Sequence, residues 1–114
     1  MKLASISIAL TLMLSGSPAL AENWVTVVDG EDIGASVDKD SIQRGSDNLV
    51  FFMVRKIDRS DSAVDCQNRV IYTLKQYITR TIFSDNPNWR NEGRAVEPST
   101  IGDFILQYVC ANAP

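Results

Sequence analysis

Hydrophobic positions change their spacing as the chain is followed from end to end. From Leu3 to Leu14 they form a run broken only by Ser5, Ser7 and Thr11. From Trp24 to Phe83 they tend to alternate with polar residues, the period of a strand. From Thr100 to Ala111 they recur at helical spacing.

Within the alternating region, Trp24-Val25-Thr26-Val27-Val28 predicts a strand that ends at the turn residues Asp29-Gly30-Glu31-Asp32. Ile33 to Val37 returns as a short second strand. Asp38-Lys39-Asp40-Ser41-Ile42 predicts a capped turn or single helical turn, and Arg44-Gly45-Ser46-Asp47-Asn48 a further turn. Leu49 to Ile57 is apolar at both parities, Leu49, Phe51 and Met53 on one face and Val50, Phe52 and Val54 on the other. A strand apolar on both faces is central and covered on both.

Arg59 to Ser62 predicts a turn. Ala63 to Phe83 reads as one long strand or two with a bend, with Val70, Tyr72, Leu74, Ile78 and Ile82 sharing a parity. Ser84 to Pro98 is polar and carries Pro87, Gly93 and Pro98, the composition of a long loop. Ser99 or Thr100 caps a final helix with Asp103 in its first turn, and Ile101, Phe104, Ile105 and Tyr108 form its apolar stripe. The pattern predicts an α+β domain: an antiparallel sheet of about five to six strands with one C-terminal α-helix packed on a face. The second face of the central strand then needs cover, from the long loop or from a second copy of the chain in a homodimer.

The first hydrophobic run has the parts of a secretory signal. Lys2 is the positive end, Ser15-Gly16-Ser17-Pro18 breaks the helix, and Ala19-Leu20-Ala21 fits the small-x-small cleavage rule. The run is shorter than the roughly 20 residues needed to span a bilayer. Residues 1–21 are therefore expected to be a signal peptide and residues 22–114 a single domain. No Cys stands beside the cleavage site, and no second hydrophobic stretch follows. The expected destination is the periplasm or the exterior, without a lipid anchor or an integral membrane segment.

Net charge is −3 for the whole chain, and loss of Lys2 makes the mature part slightly more acidic. This balance argues against nucleic acid as a partner and gives no electrostatic reason for membrane binding. Only Cys66 and Cys110 carry sulfhydryls, and an even pair in a small exported domain reads as one disulfide, stapling a strand to the helix end. Two free thiols are the competing reading; the spacing is unlike that of a redox pair.

The chain has no histidine, which removes Ser-His-Asp triads, Cys-His pairs and His-ligated zinc or haem. Its glycines are isolated, so no phosphate loop is present. Asp38 and Asp40 fall short of a calcium loop, whose later glutamate is missing, and a capped turn is the preferred reading. No pair of the scattered acids is singled out as a glycosidase-like dyad. No cofactor is expected. Trp89, Arg90 and Arg94 are candidate partner-binding residues, because Trp and Arg dominate interface hot spots. Against this stands the reading that Trp89 folds back to cover the sheet or helix. Arg55, Lys56, Arg59 and Arg69 form either a basic patch near one sheet end or ordinary solvated positions.

The order of several short features resembles the surface-adhesin protein E family of small exported bacterial proteins. Trp24-Val25 comes first, then Asp38-x-Asp40-Ser41-Ile42 and Arg44, then Asp65-Cys66-x-x-Arg69 after an apolar strand. Trp89, Pro98-Ser99 and Leu106-x-x-Val109-Cys110 complete the series. The resemblance implies an antiparallel sheet with a C-terminal helix, a Cys66–Cys110 disulfide and dimerisation. For the family's best-known member it implies an outer-membrane adhesin that binds host matrix and plasma proteins, and haem. This chain lacks the lipid-anchor cysteine and any histidine.

The expected function is that of an exported, non-enzymatic module that binds a protein partner. The alternatives are a small envelope hydrolase using carboxylates, or a structural subunit of an envelope assembly. The intact mass of the purified protein is expected to match a chain beginning at Glu22; a mass that includes residues 1–21 contradicts the cleavage.

Overall fold

A computed structural model describes residues 22–30, 34–78 and 82–114. The expected signal peptide, the Glu31-Asp32 end of the first turn, Ile33, and residues 79–81 of the expected Ala63–Phe83 strand lie outside the described residues. Alternating sequence becomes an antiparallel meander in the order β1 (Trp24–Val28), β2 (Ala35–Arg44), β3 (Leu49–Arg55), β4 (Arg59–Asp65), β5 (Val70–Ile78) and β6 (Ile82–Asp85). A two-residue strand, β7 (Arg94–Ala95), pairs with β5 at Val70 and Ile71, and the helix α1 (Ile101–Asn112) ends the chain. The α+β class, the antiparallel sheet and the terminal helix are as the sequence predicts.

β3 lies inside the sheet, but only one of its faces is fully covered: Phe51 and Met53, on the other, are half-buried, so the cover expected there is partial. Val50, Phe52 and Val54 pack with Val37, Val64, Ile105, Leu106 and Val109 in the main core. The helix therefore covers this parity, while the long loop covers part of the other. β3 stops at Arg55 rather than Ile57, which is 94% exposed at the hairpin tip. The helix packs over β1, β2 and β3. Its buried stripe is Ile105, Leu106 and Val109, with Ile101 and Tyr108 half-buried; Phe104, expected inside, is exposed.

The expected capped turn at Asp38 to Ile42 does not interrupt β2. Its capping chemistry instead builds a bulge, between the Asp38↔Met53 and Gln43↔Phe51 pairs. The buried Asp38 carboxylate accepts from the Asn23 and Asp40 backbone N–H groups at 3.0 and 3.1 Å. Ser41 Oγ donates to the Asp38 carbonyl at 2.6 Å and accepts from the Met53 N–H at 2.8 Å. Polar side chains thus take over the ladder bonds that the bulge breaks. Further on, the predicted turn at 45–48 is present, with Asp47 and Asn48 at φ 59° and 62°.

The long apolar segment after Ser62 is divided by a tight turn over 66–69, and Arg59 to Ser62 is strand rather than turn. Asp65 starts that turn: its carboxylate accepts from the backbone of Asn68 and Gln67 and from the Asn68 side chain. The Asn68 N–H, first among these, holds the Asp65 carboxyl below its ordinary value. In β5, a bulge at Leu74 shifts the register, so Val70 and Tyr72 share a face with Lys75 and Tyr77 rather than with Leu74 and Ile78. The Ser84–Pro98 loop contains the end of β6, a 3-10 turn over Trp89–Asn91, and β7.

The 66–69 turn holds the helix at two places. Cys66 is disulfide-bonded to Cys110 in its last turn, with Cα atoms 5.9 Å apart. At the other end, Arg69 Nη2 donates to Asp103 Oδ1 at 2.7 Å. Asp103 also accepts from the Ser99 N–H at 2.8 Å, while Thr100 Oγ1 accepts from the Asp103 N–H at 3.2 Å. This reciprocal arrangement satisfies two backbone donors at the helix start. Arg69 first, then the Ser99 N–H, holds the Asp103 carboxyl down at about 2.

The disulfide closes a loop between residues 44 apart. Cys66→Ser is expected to destabilise the fold by about 4 kcal/mol on a chain-entropy argument, read as a lower denaturation midpoint. An unchanged midpoint would contradict the staple. Asp103 titrates lower in the folded chain than its ordinary 3.8. Its contribution to stability is therefore full above that value and is lost as pH falls through about 2. In acid-unfolding curves, Arg69→Met is expected to shrink the stability lost between pH 3.8 and about 2, because the folded Asp103 then titrates closer to its ordinary value.

Candidate binding face

Antiparallel register decides which side chains meet, because directly opposed residues point to the same face. The face opposite α1 is set by Phe51, Met53 and Arg55 of β3. Across the strands, Arg55 is aligned with Ser36 and Arg59; Arg59 and Tyr77 meet across β4 and β5, and Tyr77 opposes Phe83. One step along, Trp24, Asp38, Met53, Asp61, Lys75 and Asp85 form a second row. A third contains Phe51, Ala63 and Tyr72.

These rows carry interleaved cations and rings. The Arg55 guanidinium lies 4.3 Å from the Trp24 ring centroid, and that of Arg59 lies 4.6 Å from Tyr77. Lys75 Nζ stands 5.9 Å from Phe83, whose ring is 5.6 Å from that of Tyr77. Each cation is held over a π-face, at a spacing where the attraction is about 0.5–1 kcal/mol for an exposed pair. Arg59 also pairs with Glu22 at 2.9 Å, and Lys75 with Asp85 at 3.8 Å. The surface is thus preorganised: its long side chains are already restrained.

Trp89 closes one end of this face. Its ring meets Phe51 and Tyr72 edge-on, at centroid distances of 5.9 and 5.5 Å. Ala63, wholly buried, opposes both Phe51 and Tyr72. Gly45 and Gly93 allow close approach, since a Cβ at Gly45 would overlap the Phe51 ring and one at Gly93 the Tyr72 ring. Trp89 therefore folds back onto the sheet, and it remains half-buried. Arg90 lies 4.5 Å over the Trp89 ring and 3.6 Å from the Asp47 carboxylate.

Arg94 is separated from this pair. It opposes Ile71 in the β5–β7 ladder, on the helix side of the sheet. The four basic residues grouped in sequence also divide: Arg55 and Arg59 face each other across the β3–β4 hairpin, Lys56 lies at its tip, and Arg69 is bound to Asp103 at the other end.

Trp24, Tyr77 and Phe83 were not legible as site residues. Their meeting depends on the Leu74 bulge and on pairing across six strands. The only signal in the sequence is the concentration of Trp, Tyr and Arg at polar parity, without the register that collects them.

Asp38 Oδ1 accepts from two backbone N–H groups, the capping role preferred for this carboxylate. Among the described residues no group of three or more His, Cys, Asp or Glu is placed to hold a metal ion. No helix of the described residues is long and apolar enough to cross a membrane. No family model, curated protein or solved structure matches the chain.

Proposed function

We propose that the chain is an exported, non-enzymatic binding module that presents the sheet face opposite α1 to a protein partner. The observation that carries this reading is the row of Arg55, Arg59, Tyr77 and Phe83 beside Trp24. Trp, Tyr and Arg are the residue types that dominate protein interfaces, and the cation–ring contacts reduce the entropy lost when a partner docks. Trp89 and Arg90 extend the same face. Arg94 takes no part in it.

Export is supported by the signal-like N-terminus and by a disulfide that persists in an oxidising compartment. The periplasm or the exterior is the corresponding destination. The family resemblance supports the same reading, since it implies an exported protein-binding domain. A hydrolase is less well supported: the buried carboxylates, Asp38 and Asp103, are held by backbone N–H groups and Arg69. A subunit of an envelope assembly would use the same face and is distinguished by a stoichiometric, permanent complex.

Immobilised protein is expected to retain one partner from envelope or host-matrix extract. The double variant Arg55→Ala/Tyr77→Ala is expected to lose it by roughly thirtyfold or more in affinity, with its melting temperature little changed. Equal retention by the variant contradicts the assignment of this face.

A further inference from the structure

The helix packs mainly over β1, β2 and β3, and the sheet face extends beyond it across β5 and β6. There a groove of about 870 Å³ runs between the sheet, the start of α1 and the segment around β7. Its size is that of small-ligand sites. It lies on the opposite side of the sheet from the aromatic face and is independent of the function proposed for that face.

The groove's floor has a uniform chemistry. Ser60, Gln76 and Ser84 form one row across β4, β5 and β6, and Ser62 and Thr73 form the next. All five are neutral, and each can donate and accept. None of the five side chains makes a hydrogen bond to another described residue; the bonded polar side chains lie elsewhere. Four of them have access to solvent. Ser62 does not: it is 4% exposed, lines the groove, and its hydroxyl has no partner among the described residues. A buried hydroxyl left unpaired carries a desolvation cost, so its persistence points to a group that enters the groove and completes it.

The walls and rim narrow the class of that group. Val54, Ile71 and Ile105 supply apolar surface beside the hydroxyls. Around the rim stand Lys56 and Arg94 with Asp58, Glu92 and Glu97, while the five floor side chains carry no charge. Three carboxylates against two cations disfavour an anion, and the neutral floor sets no charge against a cation inside the groove. A ligand with alternating hydroxyl and C–H surfaces matches both the floor and the walls. We infer that this groove binds a neutral, hydroxyl-rich ligand: a short glycan. Arg94, separated from Trp89 by the fold, acts at its rim.

The test is an amide-resolved NMR titration of the purified protein with neutral trisaccharides of glucose, mannose, galactose and N-acetylglucosamine. A trisaccharide of galacturonic acid serves as the charged control. Saturable shifts are expected at Ser60, Ser62, Thr73, Gln76 and Ser84 with at least one neutral sugar, and weaker ones with the acid. Thr73→Val and Ser62→Ala are each expected to weaken binding about three- to tenfold. Ser62→Ala is also expected to melt no lower than the parent, since the hydroxyl it removes has no partner in the fold. The inference is overturned if no neutral sugar gives saturable shifts, if the shifts centre on Trp24, Tyr77 and Phe83, or if the acidic sugar binds as well. Unchanged affinity in both variants, or a Ser62→Ala protein that melts lower, overturns it equally.

Discussion

The two-point attachment of α1 to the turn between β4 and β5 is the constraint on which the rest of the architecture depends. A helix of 12 residues is marginal by itself, and this one buries a single stripe. Cys66 and Arg69 grip it two turns apart, through Cys110 and Asp103. The grip requires a turn of fixed shape. Asp65 builds that turn by accepting from Gln67 and Asn68, and Arg69 completes it at φ 56°. The Arg69 carbonyl also accepts from the Val96 N–H at 2.9 Å, which fixes the chain entering the helix. A covalent bond and an ion pair thus determine where the helix lies, and the helix determines which part of its sheet face stays open.

The two faces of the sheet have become chemically different for the same reason. Beneath α1 the residues are apolar, and beside it they are small, neutral and hydroxyl-bearing. On the opposite face no helix excludes water, and cations and rings restrain one another there. Trp89 is the ring that the loop contributes to that face, with Arg90 lying over it. It packs on Phe51 and Tyr72 only because Gly45 and Gly93 leave room. Bulges at Asp38–Gln43 and at Leu74 set which residues reach which face, so the surface chemistry follows from irregularities in the strands.

Much of the architecture was legible because it rests on local pattern. Leu49 to Arg55 announces an internal strand by being apolar at both parities, and Thr100-x-x-Asp103 announces a helix start. Two errors have a shared cause. Asp38 to Ile42 was expected to end a strand, and Leu74 was placed with Val70 and Tyr72. In both cases a bulge absorbed residues that local rules treat as a turn or as regular alternation. Phe104 was expected inside the helix stripe but lies outside it, because the direction of the stripe is set by the latches at Asp103 and Cys110 as well as by spacing. Arg94 stands close to Trp89 in sequence, yet β7 presents it to the other side of the sheet.

The sequence by itself determined the antiparallel sheet, the terminal helix and the cysteine pair, since periodicity, capping residues and cysteine count act over short distances or need no geometry. The tertiary structure decided the site. The alignment of Arg55, Arg59, Tyr77 and Phe83, and the separate grid from Ser60 to Ser84, depend on strand register. One residue of slip moves a side chain to the opposite face. Register here is fixed by bulges, hairpin turns and a helix latched from a distance, and none of these is expressed in any single stretch of the chain.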